Sequence, residues 1–174
     1  MASQHGRAHA PARLLRDVFQ RDSLSLRRVE INPEEYVYNT GDVDDAMYLI
    51  EAGQVKVFMS SAGGQDCLLA IHTAGDVFGE SCFAGSKRFE IAQAMEPTIV
   101  LRALRRDFVA EVRRAEMMDA LLRHLGARIA ERQIAAFDLA TMDSERRLAK
   151  VLLHLSEKLG VAEGAWQRID QISQ

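Results

Sequence analysis

The sequence predicts an α+β protein: an antiparallel β half, a sandwich, barrel or roll, followed by a long helix and one further helix. Three observations predict it. Between residues 26 and 104 apolar residues recur with period two in short runs, broken by turn residues about every 8–12 positions. From Arg106 onward the apolar period becomes helical. Ahead of that switch lies one glycine-bearing stretch with charge in it, Gly75-Asp76-Val77-Phe78-Gly79-Glu80-Ser81-Cys82-Phe83-Ala84-Gly85-Ser86-Lys87-Arg88.

The totals set limits. The chain has 174 residues, 48% of them hydrophobic, and a formal net charge of −3. That supports a real core and gives no electrostatic footprint for nucleic acid. Cys67 and Cys82 are too few for a disulfide framework and belong to no CxxC or Cys/His cluster, so no structural metal site is expected. A reducing, cytoplasmic setting follows as the default. The first twelve residues lack the apolar region of a signal peptide, and no run of about 18 apolar residues predicts a membrane span.

Taken in order, residues 1–12 have no periodicity and are expected to form a mobile tail. Leu14, Leu15, Val18 and Phe19 follow helical spacing after Pro11, which predicts a short helix covering an apolar surface. Leu26, Val29 and Ile31 begin the strands, and Tyr36-Val37-Tyr38 follows. Asn39-Thr40-Gly41-Asp42 turns, Ala46 to Glu51 is a strand, Ala52-Gly53 is a tight turn, and Gln54 to Met59 alternates. A loop at 60–65 leads to a strand from Cys67 to His72. Two more strands, Ile91 to Met95 and Thr98 to Leu104, flank Pro97, so the β-containing domain covers 13–110.

Asp107, Phe108 and Val109 open a short helix, and a long helix is expected at 111–141. Leu122, Leu125, Ile129, Arg132, Ala136 and Leu139 form a heptad seam with one polar interruption. Thirty residues would extend about 45 Å, longer than a small core needs. The seam therefore points to a dimer helix pairing with its twin; the alternative is a helix packed on its own β domain. Asp143-Ser144 offers a helix N-cap, Leu148, Val151, Leu152, Leu155 and Leu159 a stripe, and Gly160 a stop. Residues 142–174 are too short for a core of their own, and represent the start of an incomplete domain or a helix returning to the β half.

The loop at 75–88 meets the demands of a small phosphate-bearing ligand. A cyclic phosphate needs a bidentate cation, which an arginine fork supplies. Glycine lets backbone N–H groups approach, and a carboxylate can accept from a ribose hydroxyl. Gly79, Glu80 and Arg88 offer these roles within ten residues. The plain alternative is a glycine-rich surface turn with two solvated charges.

The run Gly41-Asp42 through Met47-Tyr48-Leu49-Ile50-Glu51-Ala52-Gly53-Gln54-Val55-Lys56-Val57-Phe58, with Gly75-Asp76-Val77-Phe78-Gly79-Glu80, resembles the Crp/Fnr family of bacterial transcription regulators. The resemblance extends over residues 13–160. It implies that the β half is a jelly roll, or double-stranded β-helix, of the cyclic-nucleotide-binding type. It also implies a homodimer, and a winged helix-turn-helix reading DNA in the full-length protein. Ser144-Glu145-Arg146-Arg147-Leu148 resembles the first helix of that DNA-binding domain, and Ile169 to Gln174 the stretch before the helix-turn-helix, whose recognition helix would lie beyond Gln174. The implied ligand contacts are Gly79, Glu80, Ser81, Cys82, Arg88 and Phe89 in the loop, with Arg132 and Gln133 on the long helix. The implied effector is cyclic AMP or cyclic GMP; an unidentified ligand, or none, is the alternative.

Two departures bear on that. Members that bind cyclic AMP follow the arginine with Ser or Thr and then Ala, whereas Arg88 precedes Phe89 and Glu90, and Glu90 is placed to pair with Arg88. The Thr-Ser pair that meets the purine aligns with Arg132 and Gln133. An iron–sulfur sensor is not expected, because residues 1–40 hold no cysteine. His72 and Cys82 are conceivable haem ligands, but packed or exposed roles are the ordinary ones. His124 and His154 are expected to be solvated or partly packed. A cupin-like metal enzyme would need a cluster of histidines, and His72 alone occurs in the β half. No catalytic or metal-binding residue is expected.

Overall fold

The computed structural model describes residues 15–143, and beyond them 145–146, 148–150, 152–153, 161–163 and 166–168. The tail at 1–12, the Ser144 cap, the Leu155, Leu159 and Gly160 assignments, and the segment from Ile169 lie outside the described residues. Contacts divide the chain into two units, Met1–Ala127 and Arg128–Gln174.

Among its described residues the first unit opens with a helix at 15–19, α1. Eight strands follow: β1 (Leu26–Ile31), β2 (Tyr36–Tyr38), β3 (Ala46–Ala52), β4 (Gln54–Ser60), β5 (Asp66–Thr73), β6 (Val77–Phe78), β7 (Ile91–Ala94) and β8 (Thr98–Leu104). They form two four-stranded sheets in the orders β1-β8-β3-β6 and β2-β7-β4-β5. Every pairing is antiparallel. This is the jelly roll that the family resemblance implies.

Strand parity explains the packing. Along β3, Ala46, Tyr48 and Ile50 face the space between the sheets, where they meet Val55, Val57, Phe78, Ala92 and Val100. Met47 and Leu49 face the other way, against Leu15, Val18 and Phe19 of α1 and against Phe108, Val112 and Leu121. A strand covered on both faces must be apolar at every position, which is why Ala46-Met47-Tyr48-Leu49-Ile50 shows no alternation. Gly53 turns β3 into β4 at φ +89, and a Cβ there would lie 2.4 Å from Thr98 Oγ1 and 2.6 Å from the Pro97 carbonyl. Only glycine fits.

The long helix begins later than 111. Helix α2 spans Arg105–Arg114, and α3 spans Met118–Thr141. The break is a Schellman turn: the Glu116 N–H donates to the Arg113 carbonyl at 3.1 Å, and the Met117 N–H to the Val112 carbonyl at 2.9 Å. Glu116 adopts φ 55 at the position where glycine is usual, so the sequence carries no stop signal there. In the second unit, described residues between 145 and 153 are helical, and β9 (Val161–Glu163) pairs antiparallel with β10 (Trp166–Arg168).

Candidate functional site

The stretch after β6 begins at Gly79, whose φ of +94 and close neighbours, the Ala46 carbonyl and Tyr48 ring each 3.1 Å from a would-be Cβ, require glycine. A 3-10 helix, Glu80–Phe83, follows. The chain then runs back beside the 41–45 loop. The Gly41 N–H donates to the Arg88 carbonyl at 2.8 Å, and the Arg88 N–H to the Asp42 carbonyl at 2.9 Å. That local pairing delivers Arg88 and Asp44, distant in sequence, to the same point between the sheets.

Arg88 is 2% exposed, and protein atoms occupy its whole fork. Nε and Nη2 donate to Asp44 Oδ2 at 3.1 and 2.7 Å. Nη1 donates to the Gly79 carbonyl at 2.7 Å and to Ser81 Oγ at 2.8 Å, and Nη2 donates to the Ala46 carbonyl at 2.6 Å. These five bonds equal the donor capacity of a guanidinium. Its Cζ lies over the Tyr38 ring, 4.1 Å from the ring centre. Although burial alone would lower the Arg88 pKa, the charge of the Tyr38 phenolate form and the Asp44 carboxylate raise it above the usual value.

Asp44 is the hub. Besides Arg88, its Oδ2 accepts from Tyr48 Oη at 2.8 Å, and its Oδ1 accepts from Arg102 Nη2 at 2.8 Å. Burial pushes its carboxyl up, but the bonds from Arg102, Arg88 and Tyr48 outweigh that and hold it below the usual carboxylate range. Tyr48 is pushed up to about 12, first by burial and then by the Asp44 charge. Around this hub Tyr48, Phe78 and His72 stack, with ring centres 5.2 and 5.4 Å apart, and Tyr38 adds a tilted ring 5.8 Å from Tyr48. An open cleft of about 810 Å³ between β1 and β2, the edge strands, reaches Tyr38, Asp44, Tyr48 and Arg102 from outside.

The expected site residues divide. Gly79, Ser81 and Arg88 come together as one network, as above. Glu80 reaches in a different direction: its Oε1 accepts from His124 Nε2 on α3 at 2.7 Å. Cys82 turns away from the network into the apolar cluster with Leu15 and Phe108, and burial raises its thiol to about 12. Phe89 is 44% exposed, because the backbone alternation that points Arg88 and Glu90 inward points it out. Arg132 and Gln133 are exposed positions of α3 in the second unit. The carboxylate facing Arg88 is Asp44, while Glu90 Oε1 accepts from Tyr38 Oη at 3.1 Å.

Sequence reasoning missed Asp44, Tyr38, Tyr48 and Arg102, and gave His124 too little. Asp44 sits in an acidic run, Asp42-Val43-Asp44-Asp45, in which nothing local marks one carboxylate as buried. His124 had a readable signal: it shares the helical face of Ala120 and Leu121, and those three are the buried residues of α3. His72 is buried on the face of Phe78, and among the described residues no group of His, Cys, Asp and Glu could hold a metal. No helix of the described residues is long and apolar enough to cross a membrane.

The family model described as "Cyclic nucleotide-binding domain" matches residues 28–115. The chain is 34% identical to the cyclic AMP receptor protein of Thermus thermophilus over 121 residues, 68% of this chain and 56% of that protein. It is 30% identical to the CRP-like cAMP-activated global transcriptional regulator of Mycobacterium tuberculosis over 148 residues, 83% of this chain and 65% of that one. It thus spans less than two thirds of the length of either relative. The crystal structure of the Thermus thermophilus catabolite activator protein superposes with a TM-score of 0.61 at 28% identity, covering 88% of this chain and 70% of that one. A CooA mutant from Carboxydothermus hydrogenoformans shares the fold, with a TM-score of 0.69 at 21% identity over 87% of this chain and 69% of that one.

Proposed function

From the premise that this chain belongs to the Crp/Fnr family, through its cyclic nucleotide-binding domain, we propose that it is the sensor and dimerisation part of a DNA-binding transcription regulator in the cytoplasm. An effector bound in the roll biases the pose of α3, and α3 passes that bias to DNA-binding segments of the full-length protein. The observation that carries the reading is the bond between Glu80 and His124, which ties the ligand-type loop to the helix. An effector drawn to Glu80 competes with His124 for the carboxylate. Occupancy and helix pose are then linked, as a population shift between two poses with different affinity.

Dimerisation rests on the outer face of α3. Leu122 and Ile129 are 60% and 58% exposed, and Leu139 is exposed as well. Leu125 differs, being half-buried against the apolar cluster of its own first unit. Relatives named for cyclic AMP make cyclic AMP or cyclic GMP the first effectors to try. The test is calorimetric titration of the dimer with each nucleotide. A saturable heat accompanied by a thermal shift supports the sensor reading; no heat and no shift at millimolar ligand removes it.

One observation favours a second reading, a family member that dimerises but binds no cyclic nucleotide. Every Arg88 donor is already engaged within the protein, and Phe89 stands where the resemblance expects a hydroxyl. The same titration separates the two.

A further inference from the structure

The Asp44 carboxylate sits against Arg88 as a bound anion would. It takes two N–H groups of one guanidinium on a single oxygen, a third from Arg102 on the other, and the Tyr48 hydroxyl. Those are donors suited to a phosphate or carboxylate oxyanion. The Arg88 and Asp44 side chains are 0% and 12% exposed, so an external anion cannot reach the arginine while Asp44 holds it. The cleft between β1 and β2 opens onto Asp44, Tyr48 and Arg102 and so provides an approach.

We propose that Asp44 is a tethered anion occupying an oxyanion site built from Arg88, Arg102 and the Tyr48 hydroxyl, and that it sets the threshold an anionic effector must overcome. The site takes a phosphate monoester, a phosphodiester or a carboxylate. Such a ligand binds by displacing Asp44 toward the open cleft and inheriting its donors. A ligand without negative charge gains nothing from the exchange. The proposal rests on the sensor reading for the ligand's role, but the donor set exists without it.

Neutralising Asp44 leaves two arginines, one of them fully buried, without their shared counter-charge. The Asp44→Asn variant therefore melts below wild type in chloride. It regains stability with inorganic phosphate or cyclic AMP at constant ionic strength, responding at concentrations at least tenfold lower than wild type does. Asp44→Glu, which keeps the charge, stays with wild type, and Asp44→Asn combined with Arg88→Gln loses the response. An Asn variant no more responsive than wild type overturns the proposal, as does a response that survives loss of Arg88. Should the Asn variant not fold in chloride, refolding restored by phosphate supports the proposal and refolding indifferent to phosphate overturns it. If wild type and variant bind cyclic AMP equally well, the sensor reading stands and the role of Asp44 is lost. If the variant answers phosphate alone, the role of Asp44 stands and cyclic AMP is removed as effector.

Discussion

Glu80 and His124 lie 44 residues apart in sequence and meet at 2.7 Å, joining the 3-10 helix after β6 to the early turns of α3. Their side chains are mostly shielded from water, so the bond carries more weight than an exposed ion pair.

His124→Phe keeps a planar ring at the position and removes the bond. We expect a loss of about 1.5–3 kcal/mol in denaturant unfolding, the usual worth of one hydrogen bond to a charged group. Hydrogen exchange should quicken at 80–83 and in the first turns of α3 together. Exchange that quickens in neither segment contradicts the coupling.

Arg88→Ala is expected to be far more damaging than removal of a surface ligand contact. It leaves Asp44 short of its main partner inside the roll, and breaking a buried pair typically costs about 3–5 kcal/mol. Arg88→Lys restores the charge but not the fork, and should recover only part of the loss. Urea unfolding of the three proteins gives the order directly. Equal stability of the alanine variant and wild type would remove the network from the account.

The depressed Asp44 carboxyl makes a pH prediction with a definite sign. The unfolded chain takes up a proton near the ordinary aspartate value of about 3.9 while the folded chain still resists it. The stability contributed by Asp44 is thus full above that pH and is lost as pH falls toward the lower folded value. Urea midpoints measured between about pH 2.5 and 6 should fall more steeply below pH 4 for wild type than for Asp44→Asn. Parallel curves would show that Asp44 does not dominate.

Gly79→Ala tests the loop backbone. The left-handed φ disfavours any Cβ by roughly 1–2 kcal/mol, and the new methyl presses on the Ala46 carbonyl and the Tyr48 ring. Thermal unfolding should drop by several degrees. An unchanged melting temperature would mean the loop relaxes without disturbing the arginine beside it.

For the dimer, Ile129→Asp is the informative change, because Ile129 is exposed on the single chain. Light scattering should report monomers while circular dichroism stays native. Leu125→Asp is the poorer test, since Leu125 also packs against its own roll. A dimeric Ile129→Asp protein rules out the seam.

The sequence was legible where one local rule governs. Period-two runs and turn residues placed seven of the eight strands of the roll, leaving the two-residue β6 inside the glycine-bearing loop, and Gly53 marked a turn that its backbone dihedral requires. Family motifs found Arg88 and Glu80. What they are bonded to was not legible, because Asp44 and His124 reach them through tertiary pairing 44 residues away in each case. The Schellman turn was hidden for a different reason: a glutamate fills the left-handed position. Backbone alternation was an unused clue at the site, beside the helical face that His124 shares with Ala120 and Leu121, since it separates the inward Arg88 and Glu90 from the outward Phe89.

The two-sided burial of β3 has a consequence for how the protein tolerates change over evolutionary time. Each residue from Ala46 to Ile50 is buried, one set against the opposite sheet and the other against the helices. No position in that run can drift toward polarity without harming one core or the other. Strand β5, exposed along its first half, is under no such constraint. Variation tuning this roll to a new effector would therefore accumulate in the 41–45 and 79–90 segments, with β3 as the fixed wall against which they are remodelled.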